Sequence, residues 1–447
     1  MAKHSKILHR SLSTRYETAA SAEGCYVRDA QGKQYVDASG GAAVSCLGHG
    51  HPRVLEAMKR QMEKLQFIHS SFFTSDAAEA LAERLAAAAP GGAWRVFFVS
   101  GGSEATEAAL KLSRQLWVER GEPQRDHFFA RWQSYHGNTL GALSVSGNKG
   151  RRALYDPLLL AKARLALPCF AYRHKAPQES EADYAGRTAA SLDEAMVEAG
   201  RGRAIGFIAE TVVGATLGAA PAVPGYFKRI REICDRHGAF FVADEVMCGM
   251  GRCGAMFAIE EEAVQPDMIT LAKGLGGGYQ PIGALLVREA LVEELMRGSG
   301  AFQHGHTYIG HAIAAAAALE VQKVIAEERL VERARRMGAL LKERLEARFG
   351  AHPHVGDIRG RGLFLALELV EERESKRPFP AKRKLWAKIK AAGLEEGLIC
   401  YPSGGTADGV NGDHVLLAPP YIVEDAQLDE IVEKLARAID RGIEKTM

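Results

Sequence analysis

The sequence predicts an α/β protein: a mostly parallel central sheet flanked by helices, with a smaller α+β domain drawn from both chain ends. Two observations carry that expectation. Short apolar strands alternate with amphipathic helices through the middle of the 447-residue chain, the order expected of βαβ units. The two ends lack that alternation and read as a hairpin, short strands and separate helices.

Taken in order, Cys25 to Val36 reads as a hairpin turning at Asp29-Ala30-Gln31-Gly32. Arg95 to Val99 is a short apolar strand. Ser103 to Val118 follows as a helix, with Ala105, Ala108, Ala109, Leu112 and Leu116 on one face. Ala204 to Val213 reads as a buried strand. Pro224 sits where a helix opens, Phe227, Ile230, Ile233 and Cys234 form its inner face, and Gly238 ends it. Ala239–Ala243, Met268–Ala272 and Ile282–Val287 are further apolar strands. A long helical pattern from Ala312 through Glu346 bridges to the C-terminal part, where Arg359 to Leu369 reads as a turn and a strand. Lys382 to Gly397 reads as a helix. Gln427 to Arg441 is amphipathic, with Leu428, Ile431, Val432, Leu435 and Ile439 inward. These elements place a large domain at 60–325 and a smaller one at 1–59 plus 326–447.

Composition narrows the function. A formal charge of +2 argues against a nucleic-acid protein held by bulk charge. A hydrophobic share of 47% with 25% charged residues suits a folded globular chain. Glycine, at 47 residues, exceeds a tenth of the chain, which points to tight turns and close backbone approaches. The seven cysteines are scattered and form no CxxC, so they read as reduced thiols in a cytoplasmic protein. Met1 to Thr18 is polar, without the apolar core of a signal peptide, and no apolar stretch suggests a membrane span.

In open α/β sheets ligands lie beyond the carboxyl ends of the strands, so the residues after each strand are the candidates. Ser100-Gly101-Gly102-Ser103-Glu104 follows Arg95–Val99 and opens a helix. It is either a phosphate cradle or an ordinary glycine turn capped by Ser103. Asp244 and Glu245 follow Ala239–Ala243, and Asp244 is either a cofactor partner or a structural cap. Lys273 follows Met268–Ala272, where lysine is either a desolvated Schiff-base amine or a chain reaching to solvent. A phosphate cradle, a strand-end aspartate and a strand-end lysine are together the parts that pyridoxal phosphate needs.

With Tyr135-His136-Gly137, Ala209-Glu210, Ala243-Asp244-Glu245-Val246, Gly249-Met250-Gly251-Arg252, Lys273-Gly274-Leu275 and His306-Thr307-Tyr308 in order, the chain resembles the class III (omega-type) pyridoxal-phosphate-dependent aminotransferases, of aspartate aminotransferase fold type I. The resemblance runs from about Gly24 to Arg441. It implies pyridoxal 5'-phosphate as cofactor. Lys273 would be the Schiff-base lysine and proton shuttle, and Asp244 the partner of the ring nitrogen. Val246 and Tyr135 would flank the ring, and Gly102 and Ser103 would hold the phosphate. Glu210 and His136 would stand close by. Thr307 would bind the phosphate of the neighbouring subunit's cofactor, implying a homodimer or a tetramer.

Phe72 and Phe73 are either core or substrate-pocket lining, and the small residues Gly40 to Ser45 would leave that pocket roomy. Many relatives of this type carry a mobile arginine shortly before the Pro-Pro turn, here Pro419-Pro420. The stretch from Tyr401 to His414 has none, so Tyr401, Ser403 and Thr406 or another arginine would meet the substrate carboxylate. His304, His306 and His311, like His49 and His51, have no matching acid or cysteine spacing for a metal. Gly274–Gly278 matches a dinucleotide fingerprint only superficially, and Arg329–Arg336 reads as a solvated helix face. The expected activity is transfer of an amino group from an omega-amino acid or amine to a 2-oxo acid such as pyruvate. A lyase eliminating ammonia or phosphate on the same fold is the alternative, and a catalytically silent binding protein a third.

Overall fold

The computed structural model describes residues 5–446; the first four residues of the polar Met1–Thr18 stretch lie outside them. A seven-stranded sheet runs in the order Trp94–Val99, Gly283–Arg288, Met268–Leu271, Phe240–Asp244, Ala204–Glu210, His127–Arg131 and Ala163–Ala166. Its strands are parallel except Gly283–Arg288, which is antiparallel to both neighbours. The cause is the connection: the short link from Ala272 to Ile282 carries no helix able to cross the sheet and return a parallel strand.

Alternate residues of the strands feed opposite apolar layers. Val242, Met268 and Leu285 meet Leu112, Leu116 and Trp117 of the Gly102–Glu119 helix. Phe207, Phe241 and Ile269 meet the other side, where the Glu181–Ala199 and Tyr226–His237 helices pack. His127–Arg131 and Ala163–Ala166, toward one edge, were not expected from the sequence; their polar ends mask a period of two.

Two local expectations are corrected. Pro224 does not open its helix: Gly225, at φ 80°, turns the chain first, and the helix starts at Tyr226. The long helix is two, Ala312–Glu327 and Leu330–Phe349, separated by Arg329 at φ 53°. A left-handed arginine costs about 1–2 kcal/mol. The bend lets Leu341, Leu345 and Phe349 join a cluster with the chain ends instead of continuing outward.

The ends form two more sheets. Ala19–Glu23, Tyr26–Asp29 and Gln34–Asp37 make an antiparallel meander, and Val36 and Asp37 pair in parallel with Leu398 and Ile399. The first chain segment is thereby tied to the last. Val355–Arg361, Phe364–Leu369, Asp413–Leu417 and Tyr401–Gly404 form an antiparallel sheet, in which Val355–Arg361 is a strand before the expected turn. The Leu385–Glu396 and Asp425–Glu444 helices complete this layer with Ile389, Leu428, Ile431 and Leu435. All seven cysteines are free and buried. Among the described residues, no helix is long and apolar enough to cross a membrane.

Gly338 in the Leu330–Phe349 helix lies directly on the turn of the Val355–Leu369 hairpin: a Cβ there would stand 2.1 Å from the carbonyl of Gly362. Because the obstacle is backbone, Gly338→Ala should destabilise the protein by about 1–3 kcal/mol, read as a lowered thermal midpoint with spectra of the folded state unchanged.

Candidate active site

Three parallel strands end side by side, with Glu210, Asp244 and Thr270 directly paired across them. Lys273 follows two residues beyond the last of these strands, at φ 47°. Around these ends lies a cavity of about 150 Å3, lined by Gly102, Ser103, Tyr135, His136, Glu210, Asp244, Val246 and Lys273 among others. The structure thus brings together the residues that the sequence singled out between Gly102 and Lys273. A far larger groove of about 970 Å3, bordered by Phe170–Pro177 and Asp357–Arg361, shares none of them.

Asp244 is buried. Its Oδ2 meets His136 Nδ1 at 2.6 Å, and its Oδ1 accepts from the Val246 N–H at 3.0 Å. The backbone of His136 is held at both ends, since its N–H donates to Ser146 Oγ and its carbonyl accepts from Thr106 Oγ1, each at 2.8 Å. Its Nε2 is buried without a hydrogen-bond partner. Glu210 accepts from the backbone N–H groups of Tyr135 and Gly214, both at 2.8 Å. Burial, with the Asp244 charge nearby, raises the Glu210 pKa above the usual carboxylate range, against the opposing influence of His136.

Glu245, next in the chain, faces elsewhere. It accepts from the Thr211 hydroxyl and from the N–H groups of Ala258 and Ile259. Burial pushes it up to about 7. It caps a neighbouring turn, the structural role that remained open for the strand-end acids.

Lys273 Nζ donates to the carbonyl of Ala42 at 3.1 Å. Burial lowers its pKa to about 8, the charges of Asp244 and Glu210 opposing and Arg252 assisting. The acceptor belongs to an unusual segment: Gly40, Gly41, Ala42 and Ala43 all have positive φ, between 53° and 66°. Two alanines in that region carry a backbone cost. Asp37 offsets it by accepting from Ser39 and Gly40 through Oδ1.

The phosphate-cradle candidate is the start of the 18-residue Gly102–Glu119 helix. A Cβ on Gly102 would lie 2.8 Å from Val246 Cγ1, and one on Gly137, at φ 139°, 2.7 Å from Ser103 Oγ. Both positions need glycine for close approach. Ser103 Oγ also accepts from the Asn138 N–H at 3.0 Å.

Four expected residues lie apart from this cavity. Thr307 is exposed, as are Phe72 and Phe73; Phe73 borders a separate cavity with Ile68 and Ile309. Tyr401 lines a further cavity of about 530 Å3 with Arg151, Ser403 and Gly404. Sequence reasoning missed Val212, Met247, Cys248 and Ala272 as lining, because apolar residues beside a strand carry no chemical signal, and it missed the Ala42 carbonyl, which only the left-handed turn reveals.

A family model described as aminotransferase class-III matches residues 11–439. An uncharacterised aminotransferase of Schizosaccharomyces pombe is 45% identical, over 98% of this chain and 95% of its own. The putrescine–pyruvate aminotransferase of Pseudomonas aeruginosa is 33% identical, over 94% and 90%. The crystal structure of the omega transaminase of Pseudomonas jessenii in complex with PMP superposes with a TM-score of 0.90 at 35% identity, over 96% of this chain and 94% of that one.

The lowered Lys273 pKa has a stability consequence. Between about 8 and the unfolded value of about 10.4, the unfolded chain holds a proton that the native state has released, so this group alone makes stability rise with pH. The buried thiols of Cys25, Cys46, Cys169, Cys234 and Cys400, with pKa values raised to between about 11 and 12, act oppositely above about 8.5. The comparison is therefore with Lys273→Met. In ligand-free protein the variant should melt higher than wild type at pH 7, and the gap should close by pH 10, measured by thermal midpoints across that range.

Proposed function

The chain belongs to the class-III aminotransferases, and from that premise we propose that it transfers an amino group from an omega-amino acid or amine to a 2-oxo acid such as pyruvate, with pyridoxal 5'-phosphate as cofactor. The observation that carries this is the meeting of Lys273, the Asp244–His136 pair and the Gly102 helix start around one cavity. Members of the family depend on that cofactor, one structural neighbour was solved with PMP, and a relative is named for putrescine and pyruvate.

The residues present fit the cofactor. Gly101, the N-cap of the Gly102–Glu119 helix, has open space where a Cβ would stand, at a helix start whose free N–H groups and dipole favour a phosphate. A buried carboxylate, aligned by a histidine, stands ready for a cationic ring nitrogen. The lysine is desolvated and close to neutral conditions in its titration. Bound there, pyridoxal phosphate supplies an aldehyde carbon for covalent capture of the amine and a ring that takes up the electron pair left by the departing Cα proton.

The chain's own residues do the rest. Gly102 and Ser103 bind the phosphate. Asp244, aligned by His136 and by the Val246 N–H, holds a proton on the ring nitrogen. Tyr135 and Val246 confine the ring from opposite faces. Glu210 anchors Tyr135 through its backbone N–H. Lys273 first links the cofactor to the protein. When free of that link, its neutral Nζ would be the group that takes up the substrate's Cα proton and gives it back. The oxo acid would meet the same residues at the same site after the first product has left, so the exchange would be ping-pong.

In this reading Phe72 and Phe73 border the substrate pocket, and Thr307 completes the phosphate site of a second copy, in a homodimer or a tetramer. The exposure of Thr307 in the single chain supports its assignment to a second copy. Residues 60–325 form the cofactor-binding domain, and 1–59 with 326–447 the smaller one. Separate apolar clusters, on the large sheet and among the chain ends, support the division. The free, buried cysteines are consistent with a cytoplasmic protein.

Purified protein titrated with diamines and omega-amino acids, without acceptor, should lose its visible cofactor absorbance and release one carbonyl product per site. Pyruvate should then restore the absorbance. Release of ammonia or phosphate with the absorbance intact would make the protein a lyase instead. Lys273→Ala should lower transfer at least 10^4-fold, because one group both links the cofactor and moves the proton.

A further inference from the structure

The proposed reaction brings a carboxylate to the site, and Tyr401–His414 offers no arginine to meet it. That stretch is also fixed in place. Thr406, fully buried, accepts at its carbonyl from Gln133 Nε2 at 2.9 Å, and its hydroxyl meets His414 Nδ1 at 2.6 Å. Gln133 in turn accepts at its carbonyl from the Thr216 hydroxyl. The segment is thus bolted to the chain that leads into Tyr135.

Facing this fixed wall is Arg151. Its guanidinium carbon stands 4.5 Å from the centroid of the Tyr135 ring. Its backbone N–H is taken by Asn148 Oδ1 at 3.0 Å, while the guanidinium makes no hydrogen bond or ion pair with any described residue. The adjacent Arg152 is committed elsewhere, donating to the carbonyls of Leu143, Ser144 and Ser146. Arg151 lines the 530 Å3 cavity together with Tyr401, Ser403 and Gly404. The Arg151–Tyr135 contact links the two cavities, since Tyr135 lines the Lys273 cavity, and Tyr401 and Ala215 pack on the apolar cluster that includes Val212, Met247 and Cys248. The acid bordering the Arg151 cavity is Asp413, whose Oδ1 is occupied by the Trp386 N–H; burial pushes it up to about 6.

We propose that Arg151 is the carboxylate anchor of the acceptor site, holding the 2-oxo acid by its planar, two-pronged guanidinium against Tyr401 and Ser403, with Tyr135 as the platform that keeps the guanidinium in place. An arginine suits this task because its fork of N–H groups matches a carboxylate and its flat face stacks on an aromatic ring. The inference rests on the transaminase reading, and its test separates the two.

Pyruvate and propanal, an uncharged acceptor of similar size, are compared in wild type, Arg151→Ala and Arg151→Lys, and propionate, an unreactive carboxylate, is titrated by calorimetry. Arg151→Ala should raise the KM for pyruvate at least tenfold (about 1.4 kcal/mol) and weaken propionate binding by a similar factor. KM for propanal should stay within twofold. Arg151→Lys should recover part of the pyruvate affinity as a point charge. Equal losses with both acceptors would make Arg151 merely a support for Tyr135, and an unchanged KM for pyruvate would place the anchor elsewhere; either overturns the proposal. If wild type transfers no amino group to either acceptor, the transaminase reading fails, while propionate binding by wild type and Arg151→Ala still decides the role of Arg151.

Discussion

The site depends on the register of three parallel strands. Glu210, Asp244 and Thr270 are paired across neighbouring strands, so the strand ends deliver their side chains to one edge at one height. Slipping a strand by one residue would turn its side chains to the opposite face. Asp244 would then turn toward the layer where Phe241 and Ala243 now pack, and Glu245 would take its place at the cavity. The apolar alternation of Phe240–Asp244 prevents this, because Phe241 and Ala243 serve one layer and Phe240 and Val242 the other. Core packing therefore specifies which of two adjacent acids reaches the chemistry.

Burying several ionisable groups at one edge has a cost, and the structure distributes it. Glu210 and Asp244 are satisfied by backbone N–H groups and by His136, which is how buried carboxylates remain tolerable. Lys273 is left less well satisfied, with one carbonyl acceptor and a lowered pKa. A lysine held loosely is one that can exchange partners. Its acceptor, Ala42, lies in a left-handed turn whose strain is supported by Asp37 and Ser39 on one side. On the other, Gly40 sits where any Cβ would stand 2.5 Å from the carbonyl of Ala418. Strain of this kind persists only where surrounding contacts over-determine it.

Much of this was legible in the sequence. The strand and helix alternation, and the residues following each strand, could be located from apolar runs ending in glycine, aspartate or lysine, because a polar residue at the end of a buried strand is conspicuous. Chain reversals were not. The break at Arg329 and the turn at Gly225 depend on where the next element finds apolar partners, information that lies far away in sequence. The direction of Gly283–Arg288 was equally hidden, since a strand's apolar pattern is the same in either direction. At the site, the roles of Asp244 and Glu245 could be separated only by their facing, and the Ala42 carbonyl belongs to backbone, which leaves no mark in side-chain chemistry.

The residues around the cavity fall into two mechanical classes. Those at the strand ends and the Gly102 helix are locked by sheet register, glycine contacts and buried hydrogen bonds, so they vary little without loss of the core. Those toward the acceptor side lie on a four-residue helix, Lys149–Arg152, and on the Tyr401–Gly404 strand with its following loop. These segments are themselves held in place, but an exposed side chain that projects from them, such as Arg151, carries no core contact and tolerates change. Arg151 makes no bond to the fold beyond its backbone and the face of Tyr135, so altering it leaves the strand ends untouched. A protein built this way can change which carbonyl compound it accepts by altering two or three peripheral side chains, while Lys273, Asp244 and His136 stay where the sheet puts them.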